Sequence, residues 1–264
     1  FCKYFVVISH IKYFFLSFIR LNIKIQVYKN ILMTKKRKKI SGDSPLFNEV
    51  TLTPNQKILH EKIINNTITF VYGPAGTSKT FTVCYAALKM ITEKSIDKII
   101  ITKPVEESGE RLGFLPGTVE EKIGPYFESF FGNMSEMADP LFVESLVQDK
   151  TIQCRPLAHM RGATYNDSIM ILDEAQNCDF RQLMLFISRM GRNSKVIIAG
   201  DVSQYDIKQN LVALPKFIEM INGISSIAVH EFSKADIVRN PILIEITDRY
   251  EQWKHDKMTT GSKL

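Results

Sequence analysis

The sequence predicts an α/β fold in which a mostly parallel sheet carries helices on both of its faces. Short apolar runs rich in β-branched residues alternate along the chain with longer stretches that have apolar residues at helical spacing. The apolar residues of the short runs are continuous, as in central strands that are buried on both faces. Strands that alternate with helices favour parallel pairing through right-handed crossovers.

Five runs are predicted as strands, and four segments are predicted as helices. The strands are Ile68–Tyr72, Lys98–Thr102, Ile169–Asp173, Lys195–Ala199 and Ser226–Glu231. The helices are Lys79–Ile91, Phe180–Met190, Leu211–Ile221 and Ile242–Lys254. The stretch Phe131–Gln153 has only weak periodicity and is interpreted as a surface insertion or lid. A single domain over residues 50–255, followed by a short tail over residues 256–264, accounts for these elements.

The basic charge of the chain is concentrated at its N-terminal end. Residues 1–39 hold ten Lys and Arg and no acidic residue, which leaves 24 basic against 28 acidic residues over residues 40–264. The net charge of +6 is therefore no indication that the folded part binds nucleic acid. Residues 33–49 are predicted to be a basic flexible tail.

Residues 1–32 are predicted to be translated upstream sequence, with Met33 as the native start. They show no sustained helical or strand period and contain no glycine or proline. A membrane anchor is the competing interpretation, but the apolar run Tyr4–Ile19 is interrupted by His10 and Lys12. The run is also shorter than the about 20 residues that a spanning helix needs, so no stable membrane association is expected.

The cysteines and histidines of the chain show no pattern of metal ligands. Cys2, Cys84, Cys154 and Cys178 form no C-x-x-C pair. Reduced thiols in a cytoplasmic protein are the expected state of these residues. The five histidines form no cluster and are interpreted as structural or surface residues.

A glycine-rich loop follows the first predicted strand and opens the next helix. It reads Gly73-Pro74-Ala75-Gly76-Thr77-Ser78-Lys79-Thr80. In this context, backbone N–H groups of the loop and of the helix N-terminus bind the β-phosphate of a nucleotide. Lys79 is predicted to reach the β- and γ-phosphates, and Thr80 is predicted to ligate Mg²⁺. Ser78 stands where the consensus has glycine, and its side chain is expected to crowd the phosphates and limit the backbone angles.

Polar side chains follow two later strands, where ligands bind in open α/β folds. Asp173 and Glu174 come at the end of an apolar strand. Asp173 is predicted to hold Mg²⁺ through water, and Glu174 is predicted to act as the general base toward the attacking water. The next strand leads into Gly200-Asp201-Val202-Ser203-Gln204, in which Gln204 is predicted to sense the γ-phosphate.

Upstream of the loop, Thr53-Pro54-Asn55-Gln56 begins an amphipathic helix. A glutamine in this place is similar to the adenine-reading element of superfamily-one helicases. Its amide can pair with the N6 and N7 edge of adenine, which would favour ATP over GTP. The same residues make a good helix start, so both interpretations of Gln56 stay open.

Taken together, the motifs resemble the PhoH-like protein family over residues 50–252. The resemblance implies a RecA-like P-loop fold, ATP binding and a link to phosphate starvation, and the relation of the family to superfamily-one helicases suggests single-stranded RNA as a partner. Arg239 matches the late arginine of the family, whereas Lys103 stands where the family usually has arginine. The matching segments are Gly73–Thr80, Lys103-Pro104 with Glu107, Gly109–Gly117, Pro156–Gly162, Ile171–Asn177, Ser188–Gly191, Gly200–Gln204 and Asp236–Arg239.

The sequence is therefore interpreted as an ATPase that uses ATP and Mg²⁺. The chain has room for one RecA-like domain, so an arginine that completes the site must come from the same domain or from a neighbouring copy. We expect a homo-oligomer in which Arg239, or as a second candidate Arg189, reaches the γ-phosphate of a neighbour. Three functions stay open: an RNA-stimulated ATPase or helicase-like remodeller, a slowly hydrolysing ATP sensor without nucleic-acid activity, and an ATP-driven assembly factor.

Overall fold

The computed structural model describes residues 47–48, 50–104, 119–202, 212–238 and 242–259. The predictions made for residues 1–46, which include the upstream segment and most of the basic tail, lie outside these ranges. Gln204 and Arg239 also lie outside the described residues, as does the motif Gly109–Gly117.

Six parallel strands form one sheet. The strands are β1 (Ile68–Tyr72), β2 (Lys98–Lys103), β3 (Ile152–Pro156), β4 (Ser168–Leu172), β5 (Lys195–Gly200) and β6 (Ile227–Glu231). Their order in the sheet is β3-β2-β4-β5-β1-β6, and every pairing among these described strands is parallel. The five predicted strands are confirmed to within one residue at each end, and β3 was not predicted.

Seven α-helices accompany the sheet in the described ranges. They are α1 (Pro54–Asn65), α2 (Lys79–Thr92), α3 (Val119–Met137), α4 (Pro140–Gln148), α5 (Phe180–Ile187), α6 (Leu214–Met220) and α7 (Ile242–Thr259). Short 3-10 turns occur at Leu157–Met160, Ala175–Asn177 and Lys234–Asp236. Helix α5 ends three residues earlier than predicted, because the chain then turns so that Met190 can bridge to Tyr165.

Helices cover both faces of the sheet because alternate residues of a buried strand point in opposite directions. Val71 and Ile101 belong to a core cluster that also contains buried residues of α1 to α4. Phe70 and Ile100 belong to a second cluster, with buried residues of α5 and α6. The predicted α/β class, a RecA-like P-loop fold with helices on both faces, is confirmed. Since β5 separates β1 from β4, the phosphate loop and the acidic residues approach each other across one intervening strand.

The stretch Phe131–Gln153 is not a surface insertion, contrary to the interpretation of its weak periodicity. It contains the second half of α3, all of α4 and the start of β3. Its buried residues include Met134, Met137, Val143 and Leu146, which join the core cluster on the α1 to α4 face. The periodicity is weak because two helices meet at Ala138–Asp139, so that no single helical period continues through the stretch.

Two smaller expectations concern the membrane and the thiols. Within the described ranges, no helix combines the length and the apolar character that crossing a membrane requires. Cys84, Cys154 and Cys178 are free thiols, and Cys84 and Cys178 are buried.

Candidate active site

The phosphate loop joins β1 to α2, and close backbone contacts shape it. Gly73 has a φ of +147°, and a Cβ at this position would overlap the carbonyl oxygen of Phe232. Thr77 is fully buried, and its hydroxyl donates to the carbonyl oxygen of Pro74 at 2.9 Å. The nearby backbone of Phe232 thus requires glycine at position 73, and the buried side chain of Thr77 fixes the turn of the loop.

Ser78 is the residue of the loop that departs from the consensus. It lies in the left-handed region, with φ 59° and ψ 33°. A residue with a Cβ loses about 1 kcal/mol or more in this conformation, which glycine adopts freely. The side chain of Ser78 makes no capping hydrogen bond to α2 and instead lines the cavity described below. The structure therefore gives a physical reason for the consensus glycine.

Lys79 is the first residue of α2, and its side chain bends back over the loop. Its Nζ donates to the carbonyl oxygens of Gly73 and Pro74, at 2.6 and 2.8 Å. Thr80, the next residue, also faces the cavity. The loop thereby places an ammonium group and a hydroxyl at a helix N-terminus, where the helix dipole favours a bound anion.

Asp173 lies immediately after β4, at the carboxyl edge of the sheet. Its side chain is 8% exposed and forms an ion pair with Lys103, in which Nζ lies 3.2 Å from Oδ2. Burial raises the pKa of Asp173 above its ordinary value, and the ammonium of Lys103 opposes this shift. The carboxylate that was predicted to hold Mg²⁺ therefore already has a cationic neighbour.

Glu174 has a left-handed backbone, with φ 57° and ψ 37°, and a buried glutamine holds its side chain. Nε2 of Gln176 donates to Oε2 of Glu174 at 2.6 Å, and Oε1 of Gln176 accepts from the backbone N–H of Asp201 at 2.9 Å. Gly200 leaves room for this amide, since a Cβ there would lie 2.9 Å from Oε1 of Gln176. Gln176 therefore connects the end of β4 to the end of β5.

These groups meet in a cavity of about 310 Å³ at the carboxyl edge of the sheet. The structure brings together many of the residues that the sequence predicted for one site. The predicted residues that line the cavity are Ala75, Gly76, Ser78, Lys79, Thr80, Asp173 and Glu174.

Other lining residues had no predicted role: Phe81, Lys103, Ser129, Asn133, Gln176, Gly200 and Asp201. Ser129 and Asn133 lie four residues apart on α3, which places them on the same side of the helix. The adjacent Phe130 and Met134 are fully buried. A polar pair beside an apolar pair, both at helical spacing, could have indicated a helix with one side toward a site. It was missed because the stretch that begins at Phe131 has weak periodicity.

The segment that follows β6 is hydrogen-bonded to the end of β1 and to the phosphate loop. The backbone N–H of Phe232 donates to the carbonyl oxygen of Tyr72 at 2.8 Å, and that of Val238 donates to Gly76 at 3.2 Å. Val238 immediately precedes Arg239 in the chain. A described residue next to the predicted arginine is therefore anchored to the phosphate loop of the same copy.

The structure places Gln56 and Arg189 away from the cavity lining. Gln56 is 5% exposed, and its Oε1 accepts from the backbone N–H of Thr53 at 2.9 Å in the capping box of α1. Arg189 follows α5 and donates to the carbonyl oxygen of Ala163 at 3.3 Å. Since Ala163 precedes β4 whereas Asp173 follows it, Arg189 lies toward the opposite edge of the sheet from the cavity.

Comparison with known proteins gives the family. The description "PhoH-like protein" belongs to the family model that matches residues 50–251. The chain belongs to the PhoH-like protein family. A PhoH-like protein of Mycobacterium bovis is 40% identical over 203 residues, which cover 76% of this chain and 58% of the relative. A PhoH-like protein of Bacillus subtilis is 36% identical over 253 residues, which cover 90% and 79%. Protein PhoH of Escherichia coli is 32% identical over 196 residues, which cover 72% and 55%. The chain thus matches only a little more than half the length of the mycobacterial PhoH-like protein.

Solved structures with a similar fold include ATPases and helicases. The N-terminal domain of the DNA packaging ATPase from bacteriophage phi29 has a TM-score of 0.41 at 11% identity, with 68% of this chain and 95% of that chain covered. The Pif1 helicase from Candida albicans has a TM-score of 0.37 at 14% identity, with 70% and 41% covered. These are similarities of fold and not of activity.

Proposed function

We propose that this PhoH-like chain is a P-loop ATPase that binds ATP with Mg²⁺ in the cavity and hydrolyses it to ADP and phosphate. The observation that carries the proposal is that one cavity unites Lys79 and Thr80, which follow β1, with Asp173 and Glu174, which follow β4. A cation and a helix N-terminus on one side and two carboxylates on the other are what hydrolysis of a magnesium nucleotide requires.

The residues of the cavity fit such a ligand. The contact between Gly73 and Phe232 holds the loop in a conformation that only glycine allows at this position. The hydroxyl of Thr80 and the carboxylate of Asp173 are oxygen donors, which Mg²⁺ prefers. When bound, Mg²⁺ would neutralise charge on the phosphates and so favour transfer of the terminal phosphoryl group to water.

Each residue then has a distinct role. Lys79 leaves its loop carbonyls to hold the β- and γ-phosphates, while Thr80 and Asp173 hold the metal ion. Glu174 accepts the proton of the attacking water, and Gln176 keeps the carboxylate of Glu174 turned into the cavity. Gln204 is proposed to sense the γ-phosphate, since Asp201 in the same motif lines the cavity.

Recognition of adenine is proposed for Gln56, with a restriction that comes from its hydrogen bond. Because Oε1 of Gln56 already accepts one hydrogen bond in the cap of α1, only its second lone pair and its Nε2 remain for N6 and N7 of adenine. Gln56→Ala is expected to remove the preference for ATP over GTP. Equal competition by the two nucleotides in the unaltered protein would contradict the proposal.

The arginine that completes the site is proposed to be Arg239, acting in a homo-oligomer. Arg189 stays the second candidate, because its guanidinium donates to the carbonyl oxygen of Ala163 toward the other edge of the sheet and could therefore complete only a neighbour's site. Because Arg239 follows Val238, which is anchored to the phosphate loop, two alternatives remain. Arg239 completes either the site of its own copy or the site of a neighbouring copy. Mixing Arg239→Ala protein with Lys79→Ala protein separates the two, because only an arginine that acts on a neighbour restores turnover in mixed oligomers.

We propose that single-stranded RNA stimulates ATP hydrolysis by this protein. The supporting observation is an exposed aromatic pair on α7, Tyr250 and Trp253, whose rings stack at 24° with centroids 6.2 Å apart. They are 56% and 45% exposed. Nucleic-acid bases stack on side chains of this kind without sequence preference. A link to phosphate starvation is proposed on the family alone.

A slowly hydrolysing ATP sensor is the second candidate. Ser78 favours it, because its side chain lines the cavity where the consensus has glycine and can crowd the phosphates. An ATP-driven assembly factor would share the same site and would differ only in its partner.

Steady-state ATPase activity with and without single-stranded RNA tests these proposals, with Glu174→Gln as the control. RNA-stimulated turnover that the substitution abolishes would support the remodeller. Tight ATP binding with negligible turnover in both proteins would support the sensor. Absence of ATP binding would contradict both.

A further inference from the structure

Lys103 lies beside Asp173, at the carboxyl ends of the adjacent strands β2 and β4. It is the last residue of β2, and the two strands pair in register up to Thr102 and Leu172, the residues just before Lys103 and Asp173. Nζ of Lys103 lies 3.2 Å from Oδ2 of Asp173, and the two side chains are 16% and 8% exposed. The ammonium also lies 5.4 Å from the centre of the Phe130 ring.

The ion pair compensates a buried carboxylate. An isolated buried charge is costly, and a neighbouring charge of opposite sign offsets part of that cost. The ring of Phe130 contributes a second attraction to the same ammonium, because the face of an aromatic ring is electronegative. Lys103 is thus held at the carboxylate from two sides, and it also lines the cavity with Lys79 and Thr80.

We infer that Lys103 is the counter-ion of Asp173 in the nucleotide-free protein and makes metal binding at this carboxylate depend on bound phosphate. A divalent cation that arrives alone meets a carboxylate whose charge is already balanced by an ammonium a few ångströms away. The two cations repel each other, and the repulsion is strong because the site is partly buried. Free metal ions are therefore bound weakly.

A nucleotide removes this opposition. Its terminal phosphate brings negative charge into the cavity that Lys103 also lines, so the ammonium gains a second anionic partner when it shares Asp173 with a metal ion. The site thereby accepts the metal together with ATP rather than before it. The inference rests on the proposed binding of magnesium nucleotide, and it adds a residue that determines the order in which metal and nucleotide bind.

Binding of Mn²⁺ without nucleotide, followed by electron paramagnetic resonance at mildly alkaline pH, tests the inference on the whole chain. Alkaline pH keeps a proton from replacing the lysine at Asp173. The wild type is expected to bind free Mn²⁺ weakly. Lys103→Met is expected to bind it about tenfold or more tightly, since removal of one nearby charge is worth more than about 1.4 kcal/mol at this separation.

Three further variants show whether the gain comes from this ion pair. Lys103→Arg keeps the charge and is expected to bind free Mn²⁺ as weakly as the wild type. Lys103→Met combined with Asp173→Asn is expected to lose the gain. Lys89→Met is the matched control, because Lys89 also lies over an aromatic ring, that of Tyr85 at 6.0 Å, but in the last turn of α2, whereas Lys79 and Thr80 begin that helix. It should leave Mn²⁺ binding unchanged.

Unchanged Mn²⁺ affinity in folded Lys103→Met protein would overturn the inference, with the melting temperature as the check on folding. If that variant unfolds, Lys103→Gln replaces it, since its amide can still donate to Asp173. Wild-type protein that binds free Mn²⁺ as tightly as it does with ATP would also overturn the inference. Failure of the proposed function gives a different result from failure of this inference. In that case the wild type would not bind ATP, and adding ATP would not promote binding of Mn²⁺.

Discussion

The ends of β1 and β4 meet at the same cavity, but they are held in different ways. Backbone contacts fix the loop after β1: Val238 donates to Gly76, and Phe232 packs against Gly73. Side chains fix the end of β4, where Lys103 pairs with Asp173 and Gln176 holds Glu174. Both ends contain a non-glycine residue in the left-handed region, Ser78 and Glu174.

The difference separates binding from chemistry. A cradle made of backbone has one shape and offers its N–H groups to any phosphate that fits. Side chains that hold carboxylates can rotate, so the acidic end can change partners when a nucleotide is bound. We therefore expect changes at the end of β4 to alter turnover with little effect on ATP affinity, and changes around β1 to act mainly on stability and binding.

The largest effect is expected from Glu174→Gln. Loss of a general base lowers turnover by about 10²–10⁴-fold, while ATP affinity should change little. The fold should persist, because glutamine still offers an oxygen to Nε2 of Gln176. Phosphate release and equilibrium ATP binding are the two measurements. A parallel loss of affinity would contradict the separation between the two strand ends.

On the β1 side, acid is expected to destabilise the protein through His230. This residue of β6 is 3% exposed and packs edge-on against Phe232, with ring centroids 4.7 Å apart. Burial, with a contribution from the charge of Lys62, lowers the pKa of His230 to about 4 from 6.5. The unfolded chain therefore takes up this proton at higher pH than the folded chain. The contribution of His230 to stability is complete above pH 6.5 and is lost as the pH falls toward about 4, by about 3 kcal/mol in total.

Urea unfolding at neutral pH and at about pH 5 measures this loss. His230→Leu should flatten the pH dependence. His159→Gln is the control, because His159 is exposed and should leave the wild-type dependence unchanged. An equally steep loss in His230→Leu would show that other groups are responsible.

A smaller effect is expected from Gln176→Leu, which sharpens the comparison at the β4 end. Turnover should fall about tenfold with little change in KM, because the carboxylate of Glu174 loses its orientation. Stability should fall by about 1–3 kcal/mol, since the N–H of Asp201 is left buried without an acceptor. Gln176→Glu keeps an acceptor for that N–H but sets a second carboxylate beside Glu174, so like-charge repulsion should lower both stability and turnover. Wild-type turnover in both variants would exclude a positioning role.

The smallest effect is expected from Ser78→Gly. Relief of the left-handed backbone is worth about 1 kcal/mol, and the greater freedom of glycine in the unfolded chain offsets part of this. A modest rise in melting temperature is therefore expected, with faster turnover if Ser78 slows the cycle. Ser78→Ala keeps the Cβ and should show no such rise. Equal behaviour of the two variants would assign the effect to the hydroxyl rather than to the backbone.

The same contrast explains how much the sequence predicted. The phosphate loop was recognisable because its geometry demands particular residues within one contiguous segment, from Gly73 to Thr80. The strands were recognisable because burial on both faces leaves continuous apolar runs. Strand β3 was missed because it lies at the edge of the sheet and includes the polar residues Gln153 and Arg155.

The supports of the acidic end could not be found in this way. Lys103 and Gln176 come from two separate segments, and only the order of the strands brings them to one edge. Gln56 shows the opposite limitation: its sequence context fits a helix cap and a nucleotide contact equally well, and the structure shows the cap. The roles of Gln204 and Arg239 stay predictions.

A structure of the protein with Mg²⁺ and a non-hydrolysable ATP analogue tests the central claim most directly. We expect the phosphates of the analogue on the loop Gly73–Thr80 and the metal ion beside Thr80 and Asp173, with Lys79 released from its loop carbonyls. An analogue bound elsewhere, or phosphates in the cavity without a metal ion near Asp173, would contradict the claim that the two strand ends form one magnesium-nucleotide site.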